Sequence, residues 1–140
     1  MLAGMAVALT ALTKMREPIL IIDGSATDYG LLRALLEPSY EVDWADDGLA
    51  GIELVKQKQY GCLLIDPHLP VFGGEALIDY WEAMSPELLS RVVIVTRWSS
   101  MAAAVRARVA DVFPKPLPGP QLLESVERCI GRGRGAVADV

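Results

Sequence analysis

Residues 62–74 read Cys62-Leu63-Leu64-Ile65-Asp66-Pro67-His68-Leu69-Pro70-Val71-Phe72-Gly73-Gly74. The first four are apolar without alternation, which predicts a strand buried on both faces. Two prolines and two glycines then force a loop. Asp66 stands at the joint between them. A carboxylate leaving a buried strand for an irregular loop adds little to packing, but it is well placed to hold a metal ion or act as a nucleophile.

The same grammar repeats on either side. Ile19-Leu20-Ile21-Ile22 and Val92-Val93-Ile94-Val95 are β-branched apolar runs and predict central strands. Tyr40 to Ala45 alternates and predicts an edge strand, and Asp111 to Lys115 predicts a fifth. Between them lie helical patterns. Leu31, Leu32, Leu35 and Leu36 mark a buried face after a cap at Ser25 or Thr27. Leu49, Ile52 and Val55 mark a second, and Leu77, Ile78 and Trp81 a third that Ser85-Pro86 closes. A short alanine-rich helix follows Ser99, and Leu122, Leu123, Val126 and Ile130 give the last helix its apolar side. Five strand-helix pairs in succession predict an α/β fold: a doubly wound five-stranded parallel sheet with helices on both faces. Ligands of such sheets gather at the carboxyl ends of the strands.

Composition narrows the function. The chain has 140 residues, 52% hydrophobic and 22% charged, which suits one domain with a sizeable core. Its net charge of -5 carries no electrostatic footprint for nucleic acid. One histidine and two separated cysteines cannot build an ordinary zinc site, and Cys62 and Cys129 read as reduced thiols. The apolar stretch Met1 to Thr13 is too short to span a bilayer as a helix and lacks the positive charge that precedes a secretory core. It reads as a docking or dimerising helix, a tail, or the product of an early start codon. The expected organisation is an extension over 1–16, a domain over 17–131 and a flexible glycine-arginine tail over 132–140, in a cytoplasmic protein.

Four chemically useful groups stand at the predicted strand ends: Asp23, Asp66, Thr96 and Lys115. Carboxylates can share Mg²⁺ with waters, a hydroxyl can donate to a phosphoryl oxygen, and an ammonium can pair with another. With these residues in view, the chain resembles the receiver domain of two-component response regulators over Pro18 to about Ile130. The match rests on Asp66-x-x-Leu69-Pro70-x-x-Gly73-Gly74, on Ala45-x-Asp47-Gly48 and on Lys115-Pro116. The resemblance implies a flavodoxin-like sheet in the order 2-1-3-4-5. It makes Asp66 the phosphoacceptor, with Thr96 and Lys115 sensing the phosphoryl group. Mg²⁺ would be held by Asp23, Asp66 and the backbone carbonyl of His68, whose imidazole belongs to the loop surface. A histidine kinase or histidine phosphotransfer protein would supply phosphate. A downstream protein would read the face of the fourth helix, fifth strand and fifth helix. Such a chain is a phosphorelay component rather than an enzyme, with no membrane span. Its oligomeric state stays open, a homodimer among the options.

Three positions depart from the family pattern. Gly24 stands where the second acid of a pair usually binds the metal, so Mg²⁺ affinity should be weakened; Asp28 lies a helical turn later, with nothing in the sequence to place it in the site. Arg97 follows Thr96, where the family is usually small. It would cover Asp66 as a lid, pair with Asp23 or Asp66 as a substitute for metal charge, or point to solvent. Val112 takes the place of the aromatic three residues before the lysine, and Phe113 faces the other side of the strand. The fourth helix looks short, and Trp98 beside it is either a partner anchor or a packed side chain. These departures support an alternative, a pseudo-receiver that binds proteins without phosphotransfer. A flavodoxin-like cofactor binder, using Gly24-Ser25-Ala26-Thr27 as a phosphate cradle, is the weaker third reading.

Overall fold

The computed structural model describes residues 17–138. Strands and helices alternate as β1 (Ile19–Ile22), α1 (Ala26–Leu36), β2 (Val42–Ala45), α2 (Gly48–Gln57), β3 (Cys62–Ile65), α3 (Glu75–Met84), β4 (Val92–Thr96), α4 (Ser99–Val105), β5 (Asp111–Pro114) and α5 (Gly119–Ala138). All strand pairs are parallel, in the order β2-β1-β3-β4-β5. The predicted N-terminal extension over 1–16 lies outside the described residues.

Residue alternation divides the apolar runs between two cores. Leu20, Ile22, Leu63, Ile65 and Ile94 meet α2, α3 and α4 through Ile52, Leu77, Ile78, Trp81 and Val105. Ile19, Ile21, Leu64, Val93 and Val95 meet α1 and α5 through Leu32, Leu36, Leu122 and Val126. The central strands β1, β3 and β4 are buried throughout, whereas β2 at the edge is mostly not. Cys62 and Cys129, distant in sequence, are buried neighbours in the second core. Their hydrogen bond, together with burial, pushes the Cys62 thiol up.

Several local expectations change. Leu31 is 59% exposed and Leu49 53% exposed, because of the four leucines of α1 only Leu32 and Leu36, one turn apart, are fully buried, with Leu35 partly so, and of Leu49, Ile52 and Val55 on α2 only Ile52 is. A 3₁₀ segment over Pro86–Arg91 fills the α3–β4 connection and buries Leu88 and Leu89, a turn too short to show a helical period. Helix α5 continues through the glycine-arginine stretch expected as a tail. Glycine weakens a helix without blocking its hydrogen bonds, and no proline stands there. Helix α4 is short, with seven residues followed by a 3₁₀ turn at Arg106–Arg108.

The Asp47-Gly48 turn has a clear physical basis. Asp47 caps α2 by accepting from the Ala50 N–H at 2.8 Å, and the Gly48 N–H donates to the Val71 carbonyl at 2.8 Å. A Cβ at Gly48 would lie 1.7 Å from the Phe72 carbonyl oxygen, so only glycine lets the β3–α3 loop close onto α2. Gly74 at the other end of that loop has φ +63°, the left-handed region that glycine adopts without penalty.

Candidate functional site

Strand register brings the acids together. Ile22 of β1 pairs with Ala45 on one side and Ile65 on the other. The next residues continue the ladder, the Asp23 N–H donating to Ala45 and the Asp66 N–H to Ile22. Asp23 and Asp66 therefore leave the sheet at the same level on adjacent strands, both buried. Thr96, also buried, ends β4, and its carbonyl accepts from the Lys115 N–H at 3.1 Å across the β4–β5 edge. The Lys115–Pro116 peptide is cis.

Lys115 organises the centre. Its side chain is 3% exposed, and its Nζ donates to Asp23 Oδ2 at 2.8 Å, Asp66 Oδ2 at 2.8 Å and Asp28 Oδ2 at 2.9 Å. All three ammonium donors are thus engaged. Burial opposes charge on this lysine, but its hydrogen bonds to Asp23, Asp66 and Asp28 outweigh it and raise its pKa. Asp23 is raised too, because burial outweighs the help it draws from Lys115 and from the Ser25 N–H.

Asp28 is the residue that sequence reasoning left outside. Its signal is Ser25-x-x-Asp28, a capping-box pattern that assigns Asp28 a local task. One half forms: Ser25 Oγ accepts from the Asp28 N–H at 3.2 Å. The returning half is taken by Asp23, whose Oδ1 accepts from the Ser25 N–H at 2.9 Å. The Asp28 carboxylate is thereby released toward the sheet ends, where Lys115 and Arg97 both hold it.

Arg97 reaches neither Asp66 nor Asp23 with a hydrogen bond. It grips Asp28 in a fork, Nη1 to Oδ2 at 2.8 Å and Nη2 to Oδ1 at 3.3 Å, while its own side chain stays 58% exposed. That bond, reinforced by Lys115, holds the Asp28 carboxyl well below the usual carboxylate range. Beside the pair a cleft of about 310 Å³ opens between α1 and the β5–α5 loop, walled by Leu31, Leu35, Pro116 and Leu117.

The loop after β3 shapes the other rim. The His68 N–H donates to Asp66 Oδ1 at 3.0 Å, and its imidazole lies against Trp98, ring centres 5.1 Å apart. Trp98 is 51% exposed, and its N–H donates to Thr96 Oγ1 at 3.2 Å. Trp44 Nε1 donates to the Asp23 carbonyl at 2.8 Å with Tyr29 stacked on its ring, which pins the end of β1. Val112 is buried in the core on the α2–α4 side and Phe113 packs in the opposite core. The position before Lys115 that would carry a rotating aromatic holds a packed aliphatic side chain.

The donor set suits a divalent cation poorly. Asp23 and Asp66 each commit one oxygen to Lys115 and the other to a backbone N–H, and Gly24 adds no carboxylate. Among the described residues, no group of three acidic, histidine or cysteine side chains is disposed to hold a metal. Gly24 itself is not sterically required: a Cβ there would meet Pro70 Cδ at 3.4 Å, an ordinary contact.

Comparison with known proteins bears on this geometry directly. The family model described as "Response regulator receiver domain" matches residues 19–127. The chain belongs to that family. As a receiver domain of the two-component type it is a signalling module. It is 25% identical to the chemotaxis protein CheY of Halobacterium salinarum over 114 residues, covering 80% of this chain and 95% of that one. It is 28% identical to the transcriptional regulatory protein ZraR of Escherichia coli K12 over 116 residues, 80% of this chain but 26% of ZraR. Against a receiver protein of Anaeromyxobacter, 25% identical over 111 residues, it spans 47% of the relative's length. The receiver domain of an HD-domain protein from Pseudomonas fluorescens Pf-5 shares the fold with a TM-score of 0.77 at 19% identity, over 90% of this chain and 96% of that one. The receiver domain of a Pseudomonas aeruginosa sensor histidine kinase superposes with a TM-score of 0.73 at 21% identity, over 82% and 98% respectively; it holds a magnesium ion in its active-site cleft. Among the described residues, no helix is long and apolar enough to cross a membrane.

Proposed function

We propose that this receiver accepts a phosphoryl group on Asp66 and signals through a protein partner. The observation that carries the reading is the Lys115 ammonium, 2.8 Å from the Asp66 carboxylate at the mouth of β3. Asp66 supplies the nucleophilic oxygen. Lys115 turns its donors to the new phosphoryl oxygens, and Thr96, buried at the neighbouring strand end, donates its hydroxyl to another. The phosphoryl raises the local charge to about -2, and the β4–α4 junction rearranges around it. The donor is a histidine kinase or histidine phosphotransfer protein, and the reader is a second protein at the face of α4, β5 and α5. An ion bound by Asp23, Asp66 and the His68 carbonyl is held weakly.

Labelling with radioactive acetyl phosphate tests this: wild type gains label and Asp66→Asn does not. Equal labelling of the two overturns the assignment.

A second reading, the pseudo-receiver, draws support from Val112. A packed valine where a switch aromatic would turn removes one route from phosphorylation to the output face. On that reading the surface around Trp98 binds a partner with the same affinity before and after Asp66→Asn.

A further inference from the structure

We propose that Arg97, stored on Asp28, carries the charge compensation usually left to a divalent cation, so that phosphoryl transfer to Asp66 proceeds without metal. The inference rests on Asp66 being the phosphoacceptor and concerns only how its new charge is met.

Three carboxylates and two cations meet here in one connected network. Asp28 Oδ2 is shared by Lys115 Nζ at 2.9 Å and Arg97 Nη1 at 2.8 Å, and that same Nζ touches Asp66. The guanidinium is therefore separated from the phosphoacceptor's own cation by a single oxygen atom. Lys115 has no donor to spare, whereas Arg97 uses two of its five N–H groups on Asp28. Arg97 is half in solvent and can swing; Lys115 is sealed in. Asp28 alone among the three acids has two cationic partners, so it can surrender one and stay paired.

The step balances without a metal or a proton. An Asp66 oxygen bonds to the phosphorus of acetyl phosphate as the bond from phosphorus to the acetate oxygen breaks, and acetate leaves with the electron pair. Asp66 goes from one negative charge to about two. Lys115 moves its Asp28 donor to the phosphoryl group, and Arg97 brings its unused donors to the same oxygens. Guanidinium geometry suits this, since its planar fork matches phosphate oxygens. Stabilisation of a transferring phosphoryl group by arginine is a large effect in other sites. Gly24 then marks an exchange rather than a loss: the acid absent from the β1–α1 turn is replaced by Asp28 on α1, which binds protein cations in place of an ion.

The test uses the full chain and acetyl phosphate, in EDTA and in excess Mg²⁺. Wild type is expected to label at rates within about threefold of each other in the two conditions, and Arg97→Ala to lose about 100-fold in EDTA. Arg97→Lys, which keeps the charge but loses the planar fork, should recover only part of that loss. A readout independent of rate is the Arg97 guanidinium NMR resonance: it should move on phosphorylation of wild type, and Asp28→Asn should shift it in the resting protein. Labelling of wild type that requires Mg²⁺, or an Arg97→Ala variant as fast as wild type in EDTA, overturns this inference while leaving Asp66 as phosphoacceptor. No label on wild type in either condition overturns both.

Discussion

Replacing Lys115 with methionine keeps the apolar stem and removes the charge, leaving Asp23, Asp28 and Asp66 facing one another. Removing one partner from a buried ion pair costs about 3–5 kcal/mol. The lower end applies here, because Arg97 still holds Asp28 and Asp23 can relieve the repulsion by taking up a proton. The loss should be about 3 kcal/mol at pH 8. With a urea slope of about 2 kcal/mol per molar, the midpoint falls by about 1.5 M. The deficit depends on pH, and its sign follows from Asp23. Its folded pKa already lies above the unfolded value through burial, opposed by Lys115. Without that opposition it rises further. A carboxyl with a raised folded pKa binds more protons folded than unfolded, so stability drains away as pH climbs through the folded value. The variant should therefore lie closest to wild type near pH 5 and fall away toward pH 8. Equal midpoint shifts at both pH values, or no shift at all, would refute the picture of a lysine neutralising three acids.

Three further outcomes follow from the geometry. Gly24→Asp meets only ordinary contacts at its Cβ, beside Pro70 and the Asp46 carbonyl, and should change stability by less than about 1 kcal/mol while raising Mg²⁺ affinity at least about tenfold, read by calorimetric titration. Gly48→Ala would set a Cβ against the Phe72 carbonyl; it should cost about 3 kcal/mol and lower the melting temperature by about 10 °C, read by scanning calorimetry. Val112→Tyr, meant to restore a switch aromatic, should instead overfill the core beside Ala102 and Val105 and destabilise by about 1–3 kcal/mol in a denaturant melt.

The layout was legible because each of Ile22, Ile65 and Val95 closes a run that is apolar on both faces, and Asp23, Asp66 and Thr96 follow directly. Lys115 was legible through its proline. What could not be read were choices made in three dimensions. Asp28 looked committed to its own helix start, and only the bond from the Ser25 N–H to Asp23 releases it. Arg97 offered several acidic targets in sequence, and the structure selects the one on α1. Leu31 shared the leucine spacing of α1 yet faces solvent, because the sheet accepts a narrower stripe than the pattern supplied. Gly48 looked like turn chemistry, while its necessity comes from the Phe72 carbonyl in the loop after β3.

The foot of the sheet carries a consequence for how the domain can be joined to other modules. At Gly61, just before β3, a Cβ would lie 3.1 Å from Ile130 Cγ1 of α5 and 3.2 Å from Glu17 Cβ, and the Gly61 N–H bonds to the Pro18 carbonyl. Glu17 and the Ile130 turn of α5 thus meet at the foot of the sheet, the pole opposite Asp66. A polypeptide attached at this pole lies at the far end of the sheet and leaves the approach to the carboxylates clear. What is attached at this pole and what happens at the carboxylates are thereby kept on separate ends of the sheet.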